Sequence, residues 1–137
     1  DVPLAVVASP ALVSRYGMPE IPQDITKMPY IHYVSESGRS RLTLQRDQGD
    51  PETIICQGRI SSNNDQMMLA FALAGLGVIT LPRFMIEQEI ARGELLVVLP
   101  THRVVPIRRL YAVFPNSRHL PLKTRVLIDF LVSTIVL

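Results

Sequence analysis

The stretch RISSNNDQMMLAFALAGLGVITLP, Arg59 to Pro82, decides the fold, because it sets a strand end, a capped helix and a second strand in immediate succession. Ile60 to Ser62 has strand character. Asn63 or Asn64 can cap a helix, since a short side-chain oxygen accepts the free amide hydrogens of the first turn. The helix then starts at Asp65, whose carboxylate suits the positive end of the helix dipole. Met67, Met68, Phe71, Ala72 and Ala74 leave it almost no polar face, so it is expected to be buried on most sides. Gly75 can adopt the left-handed conformation that ends a helix. Gly77 permits a close backbone approach, and Val78 to Leu81 is a short apolar strand closed by Pro82. Any chemistry in this unit sits at its Ser61-Ser62-Asn63-Asn64 end.

Reading outward toward the N-terminus, Thr53 to Cys56 is an extended run that feeds the unit, so Ile54 to Ser62 is expected as one strand inside a sheet. It is preceded by the turn cluster Asp47 to Pro51 and by Arg41 to Arg46, which alternates with the period of a half-solvated strand. The pair predicts a hairpin. Tyr30 to Val34 is a further strand, and Met18 to Pro29, with three prolines, reads as irregular surface chain. Leu4 to Ala8 is an apolar strand. Ser9-Pro10 opens a helix to about Tyr16, which Gly17 can stop.

Reading outward toward the C-terminus, a second helix follows Pro82, runs to about Arg92 and ends at Gly93. Leu95 to Leu99 is a buried-type strand, Pro100 to Pro106 a connection, Arg109 to Phe114 another strand, and Pro115 to His119 a loop. A final helix opens at Leu120-Pro121 and runs to about Thr134, with Val126, Leu127, Phe130, Leu131 and Ile135 at helical spacing. Strands alternating with helices make this an α/β structure, with a sheet expected to be mixed because of the hairpin.

A chain of 137 residues, 47% of them hydrophobic, can bury a core as one domain. No apolar run approaches the roughly 20 residues that cross a bilayer. A soluble protein is expected, and the start at Asp1 reads as the interior of a longer polypeptide. The net charge of +2, with its arginines and lysines scattered, gives no basic stripe for nucleic acid, so this segment alone is not expected to bind DNA. The single Cys56 excludes an internal disulfide and a cysteine-rich zinc site, which points to a reducing compartment.

His32, His102 and His119 are far apart and lack ligand spacing, so no metal or other cofactor is expected. His32 reads as a packed or edge-exposed strand residue rather than a catalytic one, with a cleft position as the alternative. No serine lies in a nucleophile elbow, and no acid–base pair is set up, so no enzyme is expected. Gly75 and Gly77 lack the third glycine and the lysine of a phosphate loop. Arg59, Ser61, Ser62, Asn63 and Asn64 stand where a strand ends and a helix begins, a place that attracts carboxylate or phosphate in open α/β sheets. The plainer reading of the same residues is a helix cap with solvent-facing serines.

The order of these elements, with Val7-Ala8-Ser9-Pro10-Ala11-Leu12, Gly17-Met18-Pro19, Pro22-Gln23-Asp24-Ile25, Ser62-Asn63-Asn64 and Ala74-Gly75-Leu76-Gly77-Val78-Ile79-Thr80-Leu81-Pro82, resembles the C-terminal part of the effector-binding domain of LysR-type transcriptional regulators. The resemblance covers nearly the whole chain. It implies a three-layer α/β unit with a mixed sheet, similar to one subdomain of the type 2 periplasmic binding proteins, beside an incomplete second subdomain. Residues 8–104 would form effector-binding subdomain II, with 1–7 and 105–137 as crossover strand and C-terminal segment of subdomain I. A small-molecule effector, a carboxylate or another anion, would lie in the cleft. Ser61, Ser62, Asn63 and Asn64 would face it, with Arg59 beside them, Ser9 at the hinge and Gly77 and Val78 opposite. The same resemblance implies a homo-oligomer, DNA contact only through an N-terminal winged helix-turn-helix outside this chain, and a cytoplasmic location without membrane contact. The competing reading of the fold is one lobe of a solute-binding protein of a transport system. The closing strand and helix, lacking their own subdomain, are expected to meet or exchange with those of a second copy of the chain through the helix's apolar stripe; the plainer alternative is a monomer with the helix folded back onto its own subdomain.

Overall fold

Successive strand residues point to opposite faces, and β1 (Leu4–Ala8) shows what that alternation does here. Val6 and Ala8 enter one hydrophobic cluster, while Ala5 and Val7 enter the other. In the computed structural model, which describes residues 2–34, 39–58, 60–106, 109, 111–113 and 121–135, β1 is the strand around which both clusters form.

The other elements follow in chain order: α1 (Pro10–Tyr16), α2 (Pro22–Ile25), β2 (Ile31–Tyr33), β3 (Arg39–Arg46), β4 (Glu52–Gln57), β5 (Ile60–Ser62), α3 (Asp65–Leu73) and β6 (Ile79–Pro82). A 3-10 turn at Arg83–Met85 leads into α4 (Glu87–Ala91), and β7 (Leu96–Val97), β8 (His102–Val105) and α5 (Leu122–Thr134) complete them. β1 lies between β6 and β7 and is antiparallel to both, while β2 and β5 pair in parallel. A parallel bridge between Tyr30 and Val78 joins the two sets, with Ile31 N donating to Val78 O at 2.9 Å and Val78 N donating to Pro29 O at 2.8 Å. The resulting order is β5-β2-β6-β1-β7, in which β1 alone runs backwards. Gly77 makes the junction possible, because a Cβ there would stand 2.9 Å from Pro29 O and 3.0 Å from Ile31 Cγ1.

The mixing therefore comes from β1 and not from the hairpin. β3 and β4 form the expected hairpin, but in a second sheet of order β4-β3-β8. Leu42, Leu44, Ile54 and Cys56 of this sheet cover one face of the main sheet together with Leu12 of α1 and Ile25 of α2. On the other face Met68 and Ala72 of α3 pack with Ile31, Ile79, Leu81 and Ile86. Three layers result.

Several expectations are corrected. Ile54 to Ser62 is two strands in two sheets, because the chain breaks at Gly58, where any Cβ would overlap the carbonyl oxygen of Tyr30. The stretch from Met18 to Pro29 is not irregular surface: Pro22 opens α2, Asp24 accepts from Glu20 N and Ile21 N, and Ile25 and Met28 are buried. Helix α3 is buried on one side only, with Met68 2% exposed but Met67 50%. It is an outer layer, so half its surface meets water whatever its composition. The second helix is broken into the 3-10 turn and α4, leaving Phe84 exposed. Between Leu95 and Leu99 only β7 pairs, although Leu95, Val98 and Leu99 are buried.

Pro100 to Pro106 contains β8, whose Val105 pairs with Thr43 and Val104 with Leu44, so this connection is a strand of the second sheet. Of the strand expected at Arg109 to Phe114, the described residues 109 and 111–113 are in no strand, and Tyr111 and Val113 are exposed. The loop expected at Pro115 to His119 lies outside the described residues. Helix α5 forms close to its expected bounds, and Val126, Leu127, Phe130, Leu131 and Ile135 are all exposed along it, Phe130 to 59%.

Candidate functional site

β5 ends and α3 begins at the carboxyl edge of the parallel strands, the edge at which ligands gather in open α/β sheets. Asn64, not Asn63, is the cap: its Oδ1 accepts from Met67 N at 3.0 Å. Ser62 Oγ accepts from Asn64 N at 3.0 Å and fixes the turn between strand and helix, while Val34 N donates to Ser62 O at 3.0 Å and ties the end of β2 alongside. Ser61, Asn63 and Asn64 are exposed, and Ser62 is partly so. The α3 dipole makes this edge locally positive, and Asp65 in the first turn offsets part of that field.

The expected site residues do not all meet. Tyr33 pairs with Ser62 at this edge, whereas Tyr30, three residues earlier and just before β2, pairs with Val78. At ~3.3 Å per residue, Gly77 and Val78 lie about 10 Å back along the strands, at the opposite edge, and both are buried. Ser9 is there too: β1 runs antiparallel, with Val7 beside Ile79, and Ser9 is a buried cap of α1 whose Oγ accepts from Leu12 N at 3.3 Å. Its Oγ lies against Gly75, at the far end of α3 from Asn64. Ser61 to Asn64 thus form one cluster, and Ser9, Gly77 and Val78 another. Arg59 lies outside the described residues.

His32 belongs to neither cluster as read from the sequence. It pairs with Ser61, is 1% exposed, and its Nδ1 lies 2.7 Å from Ser40 Oγ on β3. Its Nε2 is buried without a hydrogen-bond partner among the described residues, and its ring lies 5.5 Å from that of Tyr30, whose hydroxyl bonds Thr80 Oγ1 at 2.8 Å. The one signal available was a polar residue at an inward position of an apolar strand. Cys56 is also buried, beside Ser40, and desolvation pushes its thiol up to about 12. That makes it an inert thiol rather than a nucleophile. Among the described residues no three His, Cys, Asp or Glu side chains converge as metal ligands, and no helix is long and apolar enough to cross a membrane.

The family model described as the LysR substrate binding domain matches residues 1–135. The HTH-type transcriptional activator AaeR of Escherichia coli is 32% identical over 130 residues, 95% of this chain and 41% of its own. The HTH-type transcriptional regulator PtxR of Pseudomonas aeruginosa is 32% identical over 133 residues, 96% of this chain and 41% of its own. The chain thus spans about two fifths of the length of these curated relatives. In the full-length structure of the Vibrio cholerae virulence activator AphB, a 24% identical chain superimposes with a TM-score of 0.77 over 96% of this chain and 44% of that one. These relatives, regulators by name, give the transport-lobe reading no support. With a family match across nearly its whole length, the chain belongs to the LysR substrate binding domain family.

Proposed function

We propose that this chain is the effector-sensing part of a LysR-type transcriptional regulator, which controls transcription in response to a small molecule. The family match over residues 1–135 carries the reading. The rest of such a regulator, acting in the cytoplasm, would supply the winged helix-turn-helix that contacts DNA. Residues 8–104 would be effector-binding subdomain II, and the flanking 1–7 and 105–137 would serve subdomain I. The protein acts by binding and not by turnover; conversion of a bound acid into product would overturn that.

The effector is a small carboxylate or similar anion, held at the edge formed by Ser61 to Asn64. What supports this is the start of a nine-residue helix beside exposed serine and asparagine side chains. One wall of a cleft supplies only part of the contacts, so affinity in this chain alone is of millimolar order. Titration with aliphatic and aromatic acids, followed by backbone amide chemical shifts, tests it. Shifts centred on residues 61 to 65 are expected, and shifts confined to α5 would refute the placement. The exposed apolar residues of α5 support a homo-oligomer. Light scattering should show association that weakens in Phe130→Ser, and a monomer at high micromolar concentration would remove that part of the reading.

A further inference from the structure

The main sheet and the second sheet enclose a row of polar side chains. Tyr30, the bridge residue just before β2, and His32, two residues on, face the same way, and Tyr30 belongs to the cluster between the sheets. Ser61, paired laterally with His32 on β5, projects to that same face and is exposed at its rim. α3 lies on the opposite face, over Ile31. The Ser62 and Asn64 turn and the His32–Ser61 pair therefore lie on two sides of the same strand ends.

Within this row one valence is open. His32 Nδ1 is engaged by Ser40 Oγ at 2.7 Å, while Nε2 is buried with no hydrogen-bond partner among the described residues. Buried polar atoms are paired in all but a few cases, so an orphan this close to a candidate site asks for an occupant. The tautomer limits the choice. If the Ser40 hydroxyl donates to Nδ1, Nε2 carries the proton and must donate; if Nδ1 donates, Nε2 must accept. A carboxylate can only accept. A hydroxyl can do either, and can bond Ser61 Oγ as well.

We propose that His32 Nε2 and the Ser61 hydroxyl form a subsite for a ligand hydroxyl, on the face of the β2–β5 pair away from α3. The proposal rests on the effector-site reading above and narrows the effector to an acid that also bears a hydroxyl. His32 makes the contact through Nε2, and its Nδ1 bond to Ser40 holds the ring for it. Because Nε2 is enclosed, entry of the hydroxyl requires the rim at Ser61 to part from the second sheet. A bound water offers the same chemistry and is the occupant to be displaced.

Matched acids with and without a hydroxyl remote from the carboxylate, 3-(4-hydroxyphenyl)propionate against 3-phenylpropionate and 3-hydroxybenzoate against benzoate, test this on the chain carrying isotope-labelled histidine. The hydroxy acids are expected to bind about five-fold tighter, the worth of one net hydrogen bond, and to move the His32 Nε2 resonance, while both members of a pair move the amides of residues 62 to 65. His32→Asn keeps a polar atom near the Nδ1 position and lacks Nε2; it should equalise each pair while benzoate still moves those amides. Ser61→Ala, at an exposed position, should likewise equalise each pair, with unchanged melting temperature. If the amides respond but the hydroxyl makes no difference and Nε2 stays still, water alone occupies the subsite and the proposal is overturned, with the effector site intact. If no acid moves the amides but phenol moves Nε2, the effector-site reading fails and the hydroxyl subsite stands. If neither responds, both fall.

Discussion

Met67 and Met68 are adjacent on α3 and chemically identical, yet one is 50% exposed and the other 2%. Truncating each to alanine measures how one-sided the helix is. Met68 packs in the cluster with Ile31, Ala72, Ile79 and Leu81, so Met68→Ala loses the transfer energy of a full side chain, roughly 1.5 to 3 kcal/mol, and leaves a cavity. Alanine's better helix propensity returns only a few tenths of a kcal/mol. A net loss of about 3 kcal/mol follows, which for a chain of this size lowers the melting temperature by roughly 12 °C. Met67→Ala, with half its surface already in water and no cavity to leave, should cost under about 1 kcal/mol. Urea unfolding followed by far-UV circular dichroism gives both values, and an unchanged slope would confirm that the native and unfolded states are comparable. Equal losses, or a larger loss at Met67, would mean that α3 is seated on the sheet by a different face, and the layer order given above would be wrong.

Three further outcomes follow from particular contacts. Gly77→Ala places a methyl group 2.9 Å from Pro29 O, backbone that cannot swing away, and should cost about 2 kcal/mol by straining the Ile31–Val78 junction; full stability in urea would refute the close approach. Cys56, raised from 9.0 to about 12 by burial, should resist alkylation in the native chain at mildly alkaline pH and react once unfolded. The unfolded thiol ionises first, so this contribution to stability is intact below pH 9.0 and falls as pH rises toward 12; a stability flat across that range in the wild type, or a fall unchanged in Cys56→Ala, would contradict it. The Lys27 ammonium, then the amides of Glu20 and Ile21, hold Asp24 below its ordinary 3.8, so what it contributes is present above that value and lost as pH falls through the lower folded one; Asp24→Asn should flatten acid unfolding in that window, and an unaltered acid limb would count against the cap.

Local chemistry was legible where it acts locally. Ser9-Pro10 caps and opens α1 by contacts within three residues, Asn64 caps α3 in the same way, and Gly75 ends that helix at φ 75°. The hairpin was legible because the alternating Arg41 to Arg46 and the extended run Thr53 to Cys56 flank a turn cluster, and β3 and β4 differ from that reading only by a residue or two at their ends. Breaks imposed from a distance were not legible. Gly58 splits what reads as one strand because the Tyr30 carbonyl passes where its side chain would be, and nothing near Gly58 in sequence announces Tyr30. β8 was hidden for the same reason: four residues between prolines become a strand only because the edge of β3 is open to receive them.

The candidate site shows the same division more sharply. Period-two alternation says which face of a strand a residue occupies, but not at which end of the sheet it finishes, since that depends on the direction of the strand. Ser9 follows β1 and Ser62 ends β5, and both look like strand-end serines at a helix start. Because β1 runs against its neighbours, the two finish at opposite edges, and only the second joins the carboxyl ends of the parallel strands. His32 fails in the complementary way. Its inward position was readable from the alternation, but the meaning of a polar group there depends on what answers each ring nitrogen. Ser40, eight residues on, answers one. Whether anything answers the other is a property of the space between two sheets, and no pattern along a single strand encodes it.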